Sequence, residues 1–307
     1  MTPRRILLTG AGGFVGHHLR AVLAARFAAA EVVRATFDVT DAQAVQDGIA
    51  EARPDALVHL AAIAAPVAAR DDPAEAWRVN LGGCLAVGRA LLEAAPACTL
   101  LFTSSADAYG ASFAAGVPLD ETAPLAPQTT YGATKAAADL ALGAMAADGL
   151  RVLRMRPFNH TGPGQSDAFA VPAFARQIAR IEAGQQEPVL SVGALRAHRD
   201  FLDVRDVCAA YAAALARADA LPPGTILNLA SGHTRQIGDI LADLLRLAGV
   251  AAEIHSDAGR VRDNEIAVAA GDAALARRML DWSPQIPWEQ TLQDVLDDWR
   301  ARVGAPT

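Results

Sequence analysis

Apolar and polar positions in the first half of the chain alternate in blocks. Short apolar runs at 5–9, 32–34, 57–60, 99–103 and 152–156 alternate with longer stretches near 14–28, 41–52, 74–95 and 130–148 that carry helical spacing. The run Leu57-Val58-His59-Leu60-Ala61-Ala62 is apolar on consecutive positions, as a strand covered on both faces requires. Alternation of this kind implies a parallel sheet with helices on both sides. After Arg156 the pattern loosens, and Pro157, Gly162, Pro163, Gly164 and Pro172 mark a loop-rich region. Beyond it the pattern predicts helices near 172–183, 204–218, 235–248, 272–280 and 288–302, with strands near 189–192 and 225–229. The expected fold is α/β, a doubly wound parallel sheet with a smaller mixed C-terminal substrate-binding lobe. Residues 1–156 build the sheet, helped by returning segments near 203–220 and 271–307, and 157–202 with 221–270 build the lobe.

Composition narrows the function. A net charge of −7 and a pI near 5.5 argue against nucleic acid or an anionic membrane as partner. Cys84, Cys98 and Cys208 are widely spaced without metal-ligand spacing, and read as reduced core residues of a cytoplasmic protein. The start, MTPRRILLTGAGGFVG, is broken by glycines and lacks a small-residue cleavage site, so no signal peptide is expected. The longest uncharged apolar run, 56–69, is too short to span a bilayer.

Two local patterns carry chemistry. Gly10-Ala11-Gly12-Gly13-Phe14-Val15-Gly16 follows the first strand and opens a helix, where glycines let the backbone approach a pyrophosphate at the helix N-terminus. Its spacing is GxxGxxG, at the first turn of a Rossmann-type unit. The second pattern is Tyr131-Gly132-Ala133-Thr134-Lys135, which contains the only lysine in a chain of 26 arginines and three tyrosines. On a helix this spacing puts phenol and ammonium on one face. A cation about 5 Å away, at an effective dielectric of about 20, favours the phenolate by roughly 3 kcal/mol, which predicts a lowered tyrosine pKa suited to proton transfer.

Together with HLAA at 59–62, Asn80, TSSADAYG at 103–110, RPFNHTGPGQ at 156–165 and RDFLDVRD at 199–206, these residues resemble the extended short-chain dehydrogenase/reductase family of nucleotide-sugar enzymes over almost the whole chain. RPFNHTGPGQ looks like the branch of GDP-mannose 4,6-dehydratases and GDP-4-keto-6-deoxymannose reductases. The resemblance implies that Tyr131 is the acid or base on a sugar oxygen, that Ser105 bonds the same oxygen, and that Lys135 holds the nicotinamide ribose while tuning Tyr131. It also implies cofactor contacts from Gly10, Gly13, Phe14, Val15, Gly16, Asp38, Val39, Leu60, Ala61, Ala62 and Pro157. Substrate contacts are expected from Asn159, Arg199 and either Arg260 or Arg262. The family's NAD-selecting carboxylate after the second strand is replaced by Arg34-Ala35, and an arginine there suits a 2′-phosphate, so the cofactor is NADP(H) or NAD(H). His160 reads as structural, and His17 and His18 as exposed helix residues.

Dehydratases of the family follow the catalytic threonine with a glutamate that performs the elimination. This chain has Ala106-Asp107, a shorter carboxylate, and misplacement by a methylene costs on the order of a hundredfold, which leaves Asp107 in the site but disfavours dehydration. The expected reaction is reduction at C4 of a nucleotide-bound 4-keto-6-deoxyhexose, GDP-4-keto-6-deoxymannose to GDP-D-rhamnose or its 6-deoxytalose epimer. The alternatives are a 4-epimerase with tightly held NAD, a dehydratase, and an idle dinucleotide-binding scaffold. Relatives pair helices like those near 74–95 and 130–148 in a four-helix bundle, which implies a homodimer.

Overall fold

The computed structural model describes residues 2–257 and 266–304. Its central sheet joins β1 (Arg5–Thr9), β2 (Glu31–Arg34), β3 (Ala56–His59), β4 (Thr99–Thr103), β5 (Val152–Pro157) and β9 (Ile226–Leu229) in the order β2-β1-β3-β4-β5-β9. Every pairing in it is parallel. Strand residues alternate between two cores, as the two-residue period dictates: Ile6, Leu8, Val58 and Leu101 enter one, Leu7, Leu57, Leu100 and Phe102 the other. Helices α1 (Phe14–Arg26) and α8 (Val204–Ala216) pack together over the first core. Helices α2 (Ala42–Ala52), α5 (Gly83–Ala94) and α6 (Thr130–Met145) cover the second. The chain reverses its direction of travel across the sheet between β1 and β3, and at such a switch point the carboxyl ends of the strands open into a crevice.

The helix expected over 74–95 is interrupted. Short helices α3 (Pro66–Asp71) and α4 (Pro73–Trp77) lead into a π-helical turn at Arg78–Gly82, which passes straight into α5. Asn80 sits inside that turn, fully buried, and its amide is engaged by backbone and side chain of neighbouring elements rather than by its own helix.

The smaller lobe has its own core from α7 (Ala170–Glu182), α9 (Ile237–Ala248) and α11 (Trp288–Gly304), with β7 (Val189–Val192) and β11 (Glu253–Ser256) paired beside them. A second group links β8 (His198–Asp203) to β6 (Asn159–Thr161), β10 (Thr234–Gln236) and β12 (Val268–Ala269). Helix α10 (Ala274–Leu280) returns to β9 and α8.

Two segments lie elsewhere than the apolar pattern placed them. Residues 226–229, expected in the lobe, form the edge strand of the main sheet, where Leu227 and Leu229 join the core beside β5. Helix α11, expected on the main sheet, buries Leu292, Val295, Leu296 and Trp299 against α7 and α9 instead.

Candidate active site

The crevice at the carboxyl ends of β1, β3, β4 and β5 encloses about 310 Å³, lined at one end by the glycine loop and at the other by Thr103–Asp107, Tyr131, Lys135 and Pro157–His160. Gly10 adopts φ +66°, and a Cβ there would stand 2.7 Å from the Ala61 amide nitrogen. A Cβ on Gly16 would stand 2.6 Å from the Gly10 carbonyl oxygen, so both positions need glycine to bring loop and strand together. Gly13 caps α1 with no side chain bonded to the first-turn amides, and no acidic residue follows in that turn. Those N–H groups and the positive end of the helix face the crevice, which suits a diphosphate. Phe14, Val15, Leu60 and Ala62 complete this wall. Ala61 lies just behind it, its amide donating to Thr9 Oγ at 3.3 Å.

At the far end, Thr129 caps α6 by accepting from the Gly132 amide at 3.0 Å, which fixes where the helix starts and hence where Tyr131 emerges. Ser105 Oγ accepts from the Asp107 amide at 3.1 Å and shares the wall with the Tyr131 phenol. Lys135 Nζ donates to the Thr103 carbonyl oxygen at 2.8 Å and lies 5.3 Å from the centre of the Phe102 ring. The structure therefore gathers Ser105, Asp107, Tyr131 and Lys135 on one wall.

The expected lowering of the Tyr131 pKa is corrected here. Burial pushes the phenol above its ordinary range, the Asp107 carboxylate pushes it further, and the Ser105 hydrogen bond only partly offsets them. Burial likewise lowers the Lys135 pKa. The ammonium is turned to the Thr103 carbonyl, so in this structure desolvation outweighs its pull on the phenol.

Behind the wall, α6 is locked to the sheet by buried charge. Asp139 accepts from Arg156 Nε and Nη2, both at 2.9 Å, and from Arg154 Nη1 at 3.0 Å. Arg156 also donates to the Tyr109 hydroxyl at 2.9 Å, and that hydroxyl donates to Asn228 Oδ1 at 2.8 Å. Asn80 supplies a second lock: it exchanges hydrogen bonds with the Ile63 backbone and donates to Thr134 Oγ at 3.0 Å.

Not every expected residue reaches the crevice. Val39 is buried and packs where Gly83 leaves room, so it supports α5 rather than facing a ligand. Asp38 closes its own turn by accepting from the Thr40 amide at 2.9 Å, and that bond holds its carboxyl below the usual range. Arg34 stands exposed at the end of β2, its Nη2 only 3.5 Å from where a Gly12 Cβ would be, beside the loop. Arg199 Nη1 is committed to the carbonyls of His198 and Ile266, at 2.8 and 2.6 Å, outside the crevice. Asn159 and Pro157 line it. Arg260 and Arg262 lie outside the described residues. His160 lines the crevice as well, stacked on Phe14 at 6.3 Å between ring centres. His18 reaches the Pro163 carbonyl oxygen at 2.7 Å. Gln165, the last residue of the RPFNHTGPGQ run, lines the crevice too, and Phe169 and Tyr211 do so without having been signalled by any motif.

Comparison with known proteins places this geometry. The sequence model described as the NAD dependent epimerase/dehydratase family matches residues 6–230. The chain is 38% identical over 303 residues to GDP-6-deoxy-D-mannose reductase of Pseudomonas aeruginosa, covering 98% of each protein. It is 31% identical over 312 residues to dTDP-4-dehydrorhamnose reductase of Streptomyces griseus, covering 98% of this chain and 92% of that one. Its fold matches the structure of RMD from Pseudomonas aeruginosa complexed with NADPH, with a TM-score of 0.89 and 35% identity over 97% of this chain and 99% of that one.

Proposed function

Because the chain belongs to the NAD dependent epimerase/dehydratase family, we propose that it reduces the C4 keto group of a nucleotide-activated 4-keto-6-deoxyhexose, GDP-4-keto-6-deoxymannose in particular. It is an NAD(P)-dependent oxidoreductase. The observation that carries the reading is Tyr131 gathered with Ser105 and Lys135 on the wall of a crevice whose other end is a helix N-terminus with no side-chain cap. The fit to a dinucleotide rests on those free first-turn amides and on the close loop that only glycine permits.

When bound, the reduced nicotinamide supplies a hydride to C4. Tyr131 is the proton donor: its O–H bond breaks as the sugar oxygen becomes a hydroxyl. Ser105 Oγ shares that oxygen and orients the phenol. Lys135, one helical turn from Tyr131, holds the nicotinamide ribose and stabilises the phenolate left after transfer. A phenol held above its ordinary range suits reduction, which starts from an acid. Asp107, by keeping it there, favours the same direction. At 106, between Ser105 and Asp107, the side chain is a buried alanine that can move no proton.

Asp107→Asn removes a negative charge that raises the Tyr131 pKa. The alkaline limb of the kcat profile for reduction is therefore expected to move to lower pH, and an unmoved or raised limb would contradict the role given to Asp107. Arg34→Ala is expected to weaken NADPH binding about tenfold or more with little change for NADH, as loss of a charge-assisted phosphate contact would, measured by fluorescence titration.

Exposed Val67, Trp77 and Leu140 lie on α3, α4 and α6, which pack side by side, and support a homodimer through this face. Sedimentation at micromolar concentration is expected to give twice the chain mass. No helix among the described residues is long and apolar enough to cross a membrane. The three cysteines are buried free thiols, which fits the reducing cytoplasm we assign to it.

The reaction itself is tested by incubating the protein with GDP-4-keto-6-deoxymannose and NADPH or NADH. One cofactor should be oxidised per sugar reduced. Turnover with no net oxidation would mean an epimerase and would overturn the proposal.

A further inference from the structure

The chain has three tyrosines, and all three gather around the crevice. Tyr131 is on its wall, and Tyr109 is in the buried network behind Ser105 with its hydroxyl bonded on two sides. Tyr211, on α8, is the odd one. Its ring belongs to the main core and the residue is only 1% exposed, yet it lines the crevice. Side chains on a helix lean toward its N-terminus, which for α8 is the end that follows β8. That lean carries the hydroxyl to the crevice floor, at the end shared with Tyr131, Thr103 and Pro157.

No described residue makes a hydrogen bond to this hydroxyl. A hydroxyl that opens onto the crevice without a protein partner keeps its O–H for whatever occupies the crevice, and phenylalanine, used nine times elsewhere in the chain, would offer no such donor. Burial also holds the Tyr211 phenol well above its ordinary range, so it remains a donor. A donor left unpaired by the protein at a ligand site fits an acceptor that the ligand brings.

We propose that Tyr211 donates a hydrogen bond to the carboxamide of the bound nicotinamide and so fixes which ring face meets the sugar. This rests on reading the crevice as the NADP(H) site. The diphosphate is drawn to the glycine loop at the other end, and the ring must lie beside Tyr131 for proton and hydride to reach one carbonyl. The carboxamide is the ring's only polar substituent, and it is the group a floor-level hydroxyl near Tyr131 would meet.

The test is Tyr211→Phe, read by binding in the absence of any sugar. Two ligands are titrated: NADPH, and 2′-phospho-ADP-ribose, which has the same diphosphate and riboses but no nicotinamide. Loss of one neutral hydrogen bond predicts about three- to tenfold weaker NADPH binding, with the affinity for 2′-phospho-ADP-ribose unchanged. The melting temperature of the free protein should hold or rise, because the hydroxyl satisfies nothing within the chain. Unchanged NADPH affinity, an equal loss for both ligands, or a fall in melting temperature would each overturn the assignment. Wild-type protein that binds neither ligand would instead overturn the cofactor reading beneath it.

Discussion

Tyr131→Phe is expected to lower kcat for reduction by about a thousandfold, within the range of about 10² to 10⁴ that a positioned acid contributes. The phenol stands on this wall with Ser105 and Lys135, and phenylalanine keeps the ring while removing the proton. Ser105 remains, but an aliphatic hydroxyl is a weaker acid than the phenol and does not replace it. The Lys135 bond to the Thr103 carbonyl does not involve the phenol, so NADPH affinity and melting temperature should stay close to wild type. A variant that keeps a tenth or more of the wild-type kcat would remove Tyr131 from the acid role. A thousandfold loss accompanied by unfolding would carry no such meaning, and thermal melting of the same preparation distinguishes the two.

Asp139→Asn is expected to destabilise the fold by about 3–5 kcal/mol, the range seen when one partner of a buried ion pair is removed. Asp139 is fully buried and holds both Arg154 and Arg156, the latter only 3% exposed. The amide keeps the shape but leaves two guanidinium groups without a counter-charge. Burial acts to raise the Asp139 pKa, yet the Arg156 hydrogen bonds and charge outweigh it and the net shift is downward. A carboxyl with a depressed folded-state pKa stabilises above its unfolded value and loses that contribution as pH falls. The gap in urea midpoint between wild type and Asp139→Asn should therefore be constant from neutral pH to about pH 4 and narrow below it. A gap that widens on acidification would contradict the pairing.

Much of the site is legible in the sequence because its parts are local. The glycine loop is a single turn, and Tyr131 with Lys135 is one turn of helix, so spacing alone puts each set together. What the sequence does not display depends on packing between distant segments. The direction of the Tyr131 shift follows from burial and from Asp107, which sit far from it along the chain. Tyr211 reaches the crevice only because α8 packs on α1. Arg199 reads as a ligand residue, yet its guanidinium is needed to hold two backbone carbonyls where β8 meets β12. Strand β8 itself, HRDFLD, carries charge on three of six positions and lacks a strand's apolar alternation; its buried Asp200 is satisfied by the Ser231 and Gly232 amides. The π-helical turn at Arg78–Gly82 has no pattern of its own, and depends on Ile63 and Thr134 to hold Asn80.

The account depends on hydride moving from nicotinamide to C4 beside a phenol that gives up its proton. Turnover of GDP-4-keto-6-deoxymannose with NADPH deuterated at the transferable position of the ring, followed by NMR of the product sugar, tests this directly. The account predicts one deuterium at C4, with the C4 proton signal gone and the cofactor oxidised in equal amount. A product carrying a proton at C4, or deuterium at any other carbon, would contradict it.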